Sequence, residues 1–301
     1  MSYHYKAFQC DIESDIPINI LSDCKSISED ITIRIYEDIL LKNELINFEK
    51  KRNNYYKTNL IKTEIYIKDI ALFNITNGGS SIKYVLEKEP DMTSFFSKLL
   101  NHVVPYALYM QKRFLLHASG VAFNNSGFIF LGKSGAGKSS LAASLSEMSF
   151  ICEDSALIDR TDNGLYLTPS FNLVKLSSRI NENLDLNNQR IANVKVDKMK
   201  RNLYKVNNFS NQRVELKRCY ILDWNQKFDI QKIDRKNIFK ELYSSIFGPH
   251  PINSCKESEL FIYNKVTELL KNIDFYRLYR NKKNLFSDNK SIIKHMQTKN
   301  P

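Results

Sequence analysis

The chain has 301 residues, 43% of them hydrophobic, which is enough to bury a large core in one or two domains and excludes a wholly disordered protein. No run of about 18 uncharged apolar residues occurs, which excludes a membrane-spanning helix, and the polar, acidic N-terminus is unlike a signal peptide. These features predict a cytoplasmic protein without a membrane span.

The formal net charge of +11 is concentrated late in the chain, where residues 171–301 hold 26 Lys and Arg against 13 Asp and Glu. A basic region can bind an acidic peptide, a nucleic acid or a membrane surface, or simply keep the protein in solution. The lysines are dispersed among acidic residues and asparagines, and no RNA-binding signature occurs. The pattern therefore does not favour nucleic acid as a partner.

The cysteines are odd in number, widely spaced and without a CxxC pair. This spacing predicts free thiols, mostly buried, rather than a disulfide framework or a zinc site. The five cysteines are Cys10, Cys24, Cys152, Cys219 and Cys255.

Residues 1–90 are predicted to form a small N-terminal β-rich domain with an antiparallel sheet. Segments 31–38, 63–75 and 81–87 are dense in Ile, Tyr, Phe and Val with partial alternation, and Asn77-Gly78-Gly79 is a turn signal between the last two. The remainder, residues 91–301, is predicted to form a second domain.

The second domain is predicted to begin with a helix. Apolar residues at 95, 99 and 103 recur at helical spacing after Asp91, which is a plausible N-cap, and Pro105 is expected to kink or divide this helix. Residues 113–117 and 127–131 are predicted as strands around a hairpin at Asn124-Asn125-Ser126.

The later elements alternate between strands and helices. A helix is predicted from Lys138 to about Glu147, with short strands at 150–152 and 156–158. Residues 213–224 predict a strong strand. An amphipathic helix is predicted over 257–273, with its apolar face formed by Ile262, Val266, Leu269, Leu270 and Ile273.

The segment GKSGAGKS (132–139) satisfies the G-x-x-x-x-G-K-[ST] pattern of a phosphate-binding P-loop, directly after a β run and before a helix. Glycines let successive N–H groups point inward around an anion, Lys138 is expected at the β- and γ-phosphates, and the Ser139 hydroxyl at Mg²⁺. Binding of ATP with Mg²⁺ is therefore predicted. The expected cofactor-binding residues are Gly132, Ser134, Gly135, Ala136, Gly137, Lys138, Ser139 and Ser140.

Two acidic residues follow the predicted helix and one short strand. Glu153 and Asp154 lie where the chain is expected to return beside the loop, so that both carboxylates approach the γ-phosphate. Asp154 is expected to bind Mg²⁺ together with Ser139, while Glu153 accepts a proton from an attacking hydroxyl. A charged turn after a strand is the alternative explanation.

Three segments together resemble the HPr kinase/phosphorylase superfamily, whose fold is related to that of ATP-type phosphoenolpyruvate carboxykinase. They are LLHASGVAF (115–123), GKSGAGKSSLAASL (132–145) and ICEDSALID (151–159), in the family's order and at close spacing. The resemblance implies an α/β P-loop core. The N-terminal region is more similar to that of HPr kinase-like peptide kinases, such as lasso-peptide precursor kinases, than to the classical sensory domain.

The resemblance also implies roles for individual residues. The first acid of the pair is the family's base in serine phosphorylation and the second helps the metal, which gives Glu153 and Asp154 these roles, with Glu standing where the family has Asp. His117 matches the family's upstream histidine near the phosphates, with a buried structural histidine as the alternative. The glycine- and arginine-rich signature of the dephosphorylating enzymes is not found. The predicted catalytic residues are Glu153, Asp154, His117 and Lys138.

Two arginines near the C-terminus, Arg277 and Arg280, are candidates to clamp a transferring phosphoryl group, although a solvated strand end is the favoured interpretation. The sequence therefore predicts a kinase that transfers the γ-phosphoryl group of ATP to a serine or similar hydroxyl. The acceptor is a peptide, a protein or a small molecule, and the classical relatives are homo-oligomers. Two alternatives stay open: a nucleotide-sensing binding module that recruits a partner without catalysis, and a small-metabolite kinase.

Overall fold

The computed structural model describes residues 2–21, 32–49, 54–58, 61–181, 184, 190–196, 199–247 and 256–298. The chain divides into two compact units. Unit 1 consists of Met1–Arg113, Asn193–Lys200 and Phe247–Leu260, and unit 2 of Phe114–Ala192, Arg201–Ile246 and Phe261–Pro301. The protein is α/β, as the sequence predicts, while the P-loop identity of its core and the extent of an N-terminal domain stay predictions.

Unit 1 contains a seven-stranded sheet in the order β1-β2-β3-β7-β6-β5-β4. Its elements are β1 (Tyr3–Ala7), β2 (Cys10–Ser14), β3 (Ile33–Glu37), α1 (Leu41–Glu49), β4 (Tyr55–Thr58), β5 (Thr63–Ile67), β6 (Ala71–Thr76), β7 (Ser81–Leu86), α2 (Met92–Lys98) and α3 (Val104–Met110). The β-rich character of residues 1–90 is confirmed, but the prediction of an antiparallel sheet is wrong at β3. This strand runs parallel to both β2 and β7, because neither neighbour is joined to it by a tight hairpin turn.

The predicted β segment 63–75 is a hairpin of two strands rather than one strand. Strands β5 and β6 pair antiparallel around a turn in which Asp69 has a φ of 61°. Helix α1 is not apparent from the sequence pattern. It is held by Leu41 and Leu45, which pack in a small apolar cluster with Tyr66, Leu72 and Val85. Apolar side chains contributed by the sheet thus decide the position of a short helix whose own sequence is weakly patterned.

The helix after Asp91 is confirmed, and so is its cap, because the Asp91 side chain accepts a hydrogen bond from the Thr93 N–H. Its predicted apolar residues are buried, and Phe95 stacks on Phe73 at 5.5 Å between ring centroids. A π-helical stretch, Leu99–Val103, divides the helix just before Pro105. The wider turn occurs where proline lacks an N–H for regular α-helical bonding.

Unit 2 is built around a nine-stranded mixed sheet that includes β11-β9-β10-β17-β13-β12-β8, with β19 pairing with β17 and β18. The elements from residue 114 onward are β8 (Phe114–Leu116), β9 (Ser119–Phe123), β10 (Ser126–Leu131), α4 (Lys138–Ser144), β11 (Ser149–Cys152), β12 (Ala156–Thr161), β13 (Gly164–Thr168), β14 (Leu173–Leu176), α5 (Ser178–Asn181), β15 (Arg190–Val196), β16 (Met199–Lys205), β17 (Val214–Trp224), β18 (Asp229–Lys232), α6 (Phe239–Ser244), α7 (Lys256–Asn272), β19 (Asp274–Arg280) and α8 (Asn289–Gln297).

The predicted hairpin at Asn124-Asn125 exists, but its first strand is β9 rather than residues 113–117. Both asparagines have positive φ values, 46° and 60°, as tight hairpin turns require. Strand β8 pairs instead with β12, a partner more distant in the chain. The predicted strand 213–224 and helix 257–273 are confirmed as β17 and α7 to within a residue at each end.

The central strand β17 runs parallel to both β10 and β19, so the carboxyl ends of these three strands lie along one edge of the sheet. Three cysteines, Cys10, Cys152 and Cys219, are buried free thiols as predicted, and Cys24 and Cys255 lie outside the described residues. No helix within the described ranges is long and apolar enough to cross a membrane.

Candidate functional site

The glycine-rich loop joins the carboxyl end of β10 to α4. Its glycines take conformations that L side chains rarely adopt, with φ values of 147° at Gly132, 81° at Gly135 and 84° at Gly137. The loop also contains a turn in which the Ala136 N–H donates to the Lys133 carbonyl oxygen at 3.0 Å. The predicted strand, loop and helix order is thus present at residues 126–144.

The back of the loop is held by Arg280, at the carboxyl end of β19. Its guanidinium donates to the Ala136 carbonyl oxygen at 2.6 Å and lies over the Trp224 ring at 4.9 Å from the centroid. Arg280 is only 2% exposed, so the favoured interpretation of a solvated strand end is wrong for this residue. The reason is that β17 and β19 are parallel neighbours, which brings Trp224 and Arg280 together. Burial lowers the pKa of Arg280 to about 10.

Lys138 lies at the first position of α4 and is 6% exposed. Its ammonium group donates to the Gly132 carbonyl oxygen at 3.0 Å, so the side chain spans the loop. Desolvation lowers the pKa of Lys138, while the nearby carboxylate of Asp154 acts in the opposite direction. A desolvated ammonium beside a glycine loop is suited to bind an anion.

Glu153 follows β11 and is 1% exposed. Both of its carboxylate oxygens accept from the Lys175 main-chain N–H at 3.1 Å, and the Ser139 hydroxyl lies near enough to this carboxylate to help lower its pKa. Desolvation raises the pKa of Glu153 to about 7, although the positive charge of Lys175 opposes the shift. The predicted metal-binding serine therefore lies beside the first acid.

Asp154 has a φ of 56°, a left-handed conformation that turns its side chain away from the path of the strand. Its carboxylate forms an ion pair with the Lys175 ammonium at 2.7 Å, with the side chains 20% and 4% exposed, respectively. Its carbonyl oxygen lies 3.0 Å from Nδ1 of His117. The main chain of Asp154 thus contacts the histidine that the sequence places in the site.

His117 remains accessible to solvent, although the surrounding chain desolvates its ring enough to lower the pKa of the imidazole. The Asp154 carboxylate opposes this shift, and the positive charges of Lys138 and Lys175 add to it. His117 is therefore a neutral imidazole near neutral pH, since its ordinary pKa is already about 6.5. It does not add a positive charge to the site.

The structure brings together all four predicted catalytic residues: His117, Lys138, Glu153 and Asp154. The predicted phosphate-binding residues occupy the loop as described, with Ser134 and Gly135 exposed at its tip, Ala136 buried, and Ser139 and Ser140 half-buried. Their binding roles stay predictions.

Two functional candidates are missed by the sequence patterns, Lys175 on β14 and Arg201 on β16. The positive charge of Arg201 lowers the pKa of Lys138, and Lys175 interacts with the carboxylates of Asp154 and Glu153. No local sequence motif marks either Lys175 or Arg201. Their position in the site depends on the pairing of β14 with β16, which no short sequence pattern predicts.

No family model matches the chain, and no curated protein matches it either. Among solved structures, the chain is similar to the Hpr(Ser) kinase/phosphatase from Coxiella burnetii, with 11% sequence identity and a TM-score of 0.29. The similarity covers 61% of this chain and 95% of that chain.

Proposed function

We propose that the chain is a phosphotransferase that binds ATP with Mg²⁺ at the glycine-rich loop and transfers the γ-phosphoryl group to a hydroxyl. The acceptor class is a serine or similar hydroxyl on a peptide, a protein or a small molecule. The observation that carries the proposal is that the loop and the acidic pair lie close together: the Ser139 hydroxyl lowers the pKa of Glu153, and the carboxylates of Asp154 and Glu153 raise that of Lys138.

The residues present fit a nucleotide phosphate group. A Cβ built at Gly135 meets nothing within 4 Å, so the loop tip is open, and the buried Lys138 ammonium lies across the loop. Ser139 and Asp154 offer the small oxygen ligands that Mg²⁺ prefers. Among the described residues, no group of three or more His, Cys, Asp or Glu is arranged to hold a metal ion, so phosphates and water would complete its coordination.

The proposed roles follow from these positions. Loop amides and Lys138 hold the phosphates, and Mg²⁺ bound at Ser139 and Asp154 would supply positive charge to the transferring group. Glu153 is proposed as the base because a carboxyl with a pKa of about 7 can both accept and release a proton near neutral pH. Since its side chain is 1% exposed, it must leave the Lys175 N–H to reach an acceptor directly.

That burial favours a second candidate function, a module that binds nucleotide and recruits a partner without transfer. In this alternative Glu153 has a structural role, in which its carboxylate accepts the Lys175 N–H of β14, and it never meets a substrate hydroxyl. The two functions differ in their products, because only the kinase places phosphate on an acceptor.

The test uses Lys138→Ala, with Lys133→Ala, an exposed lysine of the same loop, as the matched control. Loss of a charge-assisted contact of roughly 1.5–3 kcal/mol predicts about 10- to 100-fold weaker binding of an ATP analogue to Lys138→Ala in calorimetry. Label from γ-³²P-ATP should move to hydroxyl-containing peptides only with the wild type and the control.

Unchanged binding by Lys138→Ala would contradict nucleotide binding at this loop. Binding without labelled product, across peptides and small hydroxyl compounds, would instead support the module. Label on a small metabolite rather than on a peptide would identify a small-metabolite kinase.

A further inference from the structure

Positive charge exceeds negative charge around Asp154. Among the residues that the structure describes, Lys138 enters from the loop, Lys175 from β14 and Arg201 from β16, and the acidic side chains that act on these lysines are Asp154 and Glu153. Lys175 is already bound to Asp154 at 2.7 Å. The site therefore has a cationic surplus that an anionic ligand would neutralise.

The register between β14 and β16 places Arg201 beside Lys175. Strands β14 and β16 are antiparallel, with Lys175 opposite Leu203 and Leu176 opposite Asn202. Residues two apart on a strand share a face, so Arg201 lies on the same face as Leu203 and diagonally next to Lys175. The face that presents Lys175 to Asp154 thus also presents Arg201.

Arg201 is half-buried, and within the described part of the chain no hydrogen bond or ion pair joins its guanidinium to a carboxylate. It lies close enough to Lys138 that, after desolvation, its charge is a further cause of the lowered pKa of that lysine. Two neighbouring cations repel each other, and a phosphate bound by both would relieve this repulsion.

We propose that Arg201 is a further phosphate-binding residue, whose guanidinium contacts the terminal phosphate of the nucleotide held by the glycine-rich loop. This inference rests on the proposed function. The terminal phosphate is the predicted contact because Arg201 adjoins Lys138, the residue proposed for the β- and γ-phosphates, and Lys175, the partner of Asp154. A planar guanidinium can bind two phosphate oxygens at once, which a lysine cannot do.

The experiment compares Arg201→Gln and Arg201→Lys with Arg235→Gln, an exposed arginine of unit 2 that gives the same change in net charge. Calorimetry measures binding of a non-hydrolysable ATP analogue and of ADP, both with Mg²⁺, after thermal melts show that each variant is folded. Arg201→Gln should weaken binding of the ATP analogue about 10- to 100-fold and change ADP binding less than about threefold. Arg201→Lys should have an affinity for the ATP analogue between those of the wild type and Arg201→Gln, and Arg235→Gln should bind both nucleotides as the wild type does.

Equal losses for the ATP analogue and ADP, or no loss for either, would overturn the assignment of Arg201 to the terminal phosphate. Suppose that the wild type binds both nucleotides, that Lys138→Ala binds neither, and that Arg201→Gln binds both with unchanged affinity. In that case only the assignment of Arg201 fails, and the proposed nucleotide site stands. If the wild type binds neither nucleotide, the proposed function fails together with it. If Arg201→Gln does not fold, Arg201→Lys replaces it in the test, because lysine retains the charge but not the bidentate contact. The affinity loss for the ATP analogue is again compared with the loss for ADP.

Discussion

Units 1 and 2 differ in what they bury besides apolar side chains. Within the described residues, the buried polar side chains of unit 1 are uncharged: Ser14, Thr63, Asn74, Ser81, Ser94, Ser97, Asn101 and Ser258. Unit 2 also buries charged ones: Lys138, Glu153, Lys175, Arg218 and Arg280. Removing a charge from water costs several kcal/mol unless the charge is well paired. The buried charges therefore lower the stability of unit 2, and their presence indicates that the functional site lies there.

The position of these buried charges sharpens the contrast. Four of them, Lys138, Glu153, Lys175 and Arg280, contact the glycine-rich loop or the acidic pair. Arg218 has a purely structural explanation, since its guanidinium donates to the carbonyl oxygens of His295 and Thr298 at the end of α8. It therefore serves as a control for the effect of a buried cation as such.

The largest expected effect comes from Lys175→Met, which leaves the Asp154 carboxylate without its cation. Breaking a largely buried pair by removing one partner costs roughly 3 kcal/mol, so the free energy of unfolding should fall by about that amount. The double variant Lys175→Met/Asp154→Asn should recover much of the loss, because no unpaired charge then remains. Denaturant titration of the wild type, both single variants and the double variant measures this coupling.

Arg218→Met is the matched comparison for this series. It should also lower the free energy of unfolding, since three main-chain acceptors lose their donor, but it should leave nucleotide affinity unchanged. An absence of coupling energy between Lys175 and Asp154 in the double-variant cycle would refute their pairing as a source of stability.

A somewhat smaller effect, dependent on pH, is expected for Glu153→Gln. The carboxyl has a pKa of about 7 when folded against an ordinary value of 4.5, so the folded state binds this proton more tightly than the unfolded state. Stability from this group is complete below about pH 4.5 and is lost as the pH rises to about 7. The shift corresponds to about 3 kcal/mol at most, and the variant should be free of this loss.

The same variant tests the chemistry of Glu153. Affinity for ATP should be retained while phosphoryl transfer is lost, and transfer by the wild type should increase as the pH rises through about 7, where the base becomes ionised. Stability curves from about pH 5 to 8 and transfer rates over that range are the measurements. Transfer that is unchanged in Glu153→Gln would remove this residue as the base and leave only its stabilising contacts.

The local parts of the site could be predicted from the sequence and the long-range parts could not. The loop of Gly132 to Ser139 and the acidic pair each lie within a few residues, and a short pattern suffices to identify them. Lys175 and Arg201 come from strands whose pairing depends on the whole fold. The sequence assigns Arg280 to solvent because its burial requires Trp224, which lies on a neighbouring parallel strand.

In unit 1 the same division holds. The cap at Asp91 and the apolar face of the following helix are local and can be predicted, whereas the parallel pairing of β3 depends on which strands reach it. Residue alternation reports which face of a strand is buried, but it does not report the direction of its neighbours.

The smallest expected effect compares two glycines of the loop that share one backbone conformation. Gly135 and Gly137 have φ values of 81° and 84°, so alanine at either position carries the same left-handed strain of about 1 kcal/mol. A Cβ at Gly135 meets nothing within 4 Å, but one at Gly137 would lie 2.6 Å from Nη2 of Arg280, which is held by Ala136 and Trp224. Gly137→Ala should therefore lower the free energy of unfolding by about 1 kcal/mol more than Gly135→Ala, as denaturant titration would measure. In an Arg280→Met background the two alanine variants should become equal, and a difference that persists there would show that contact with Arg280 is not its cause.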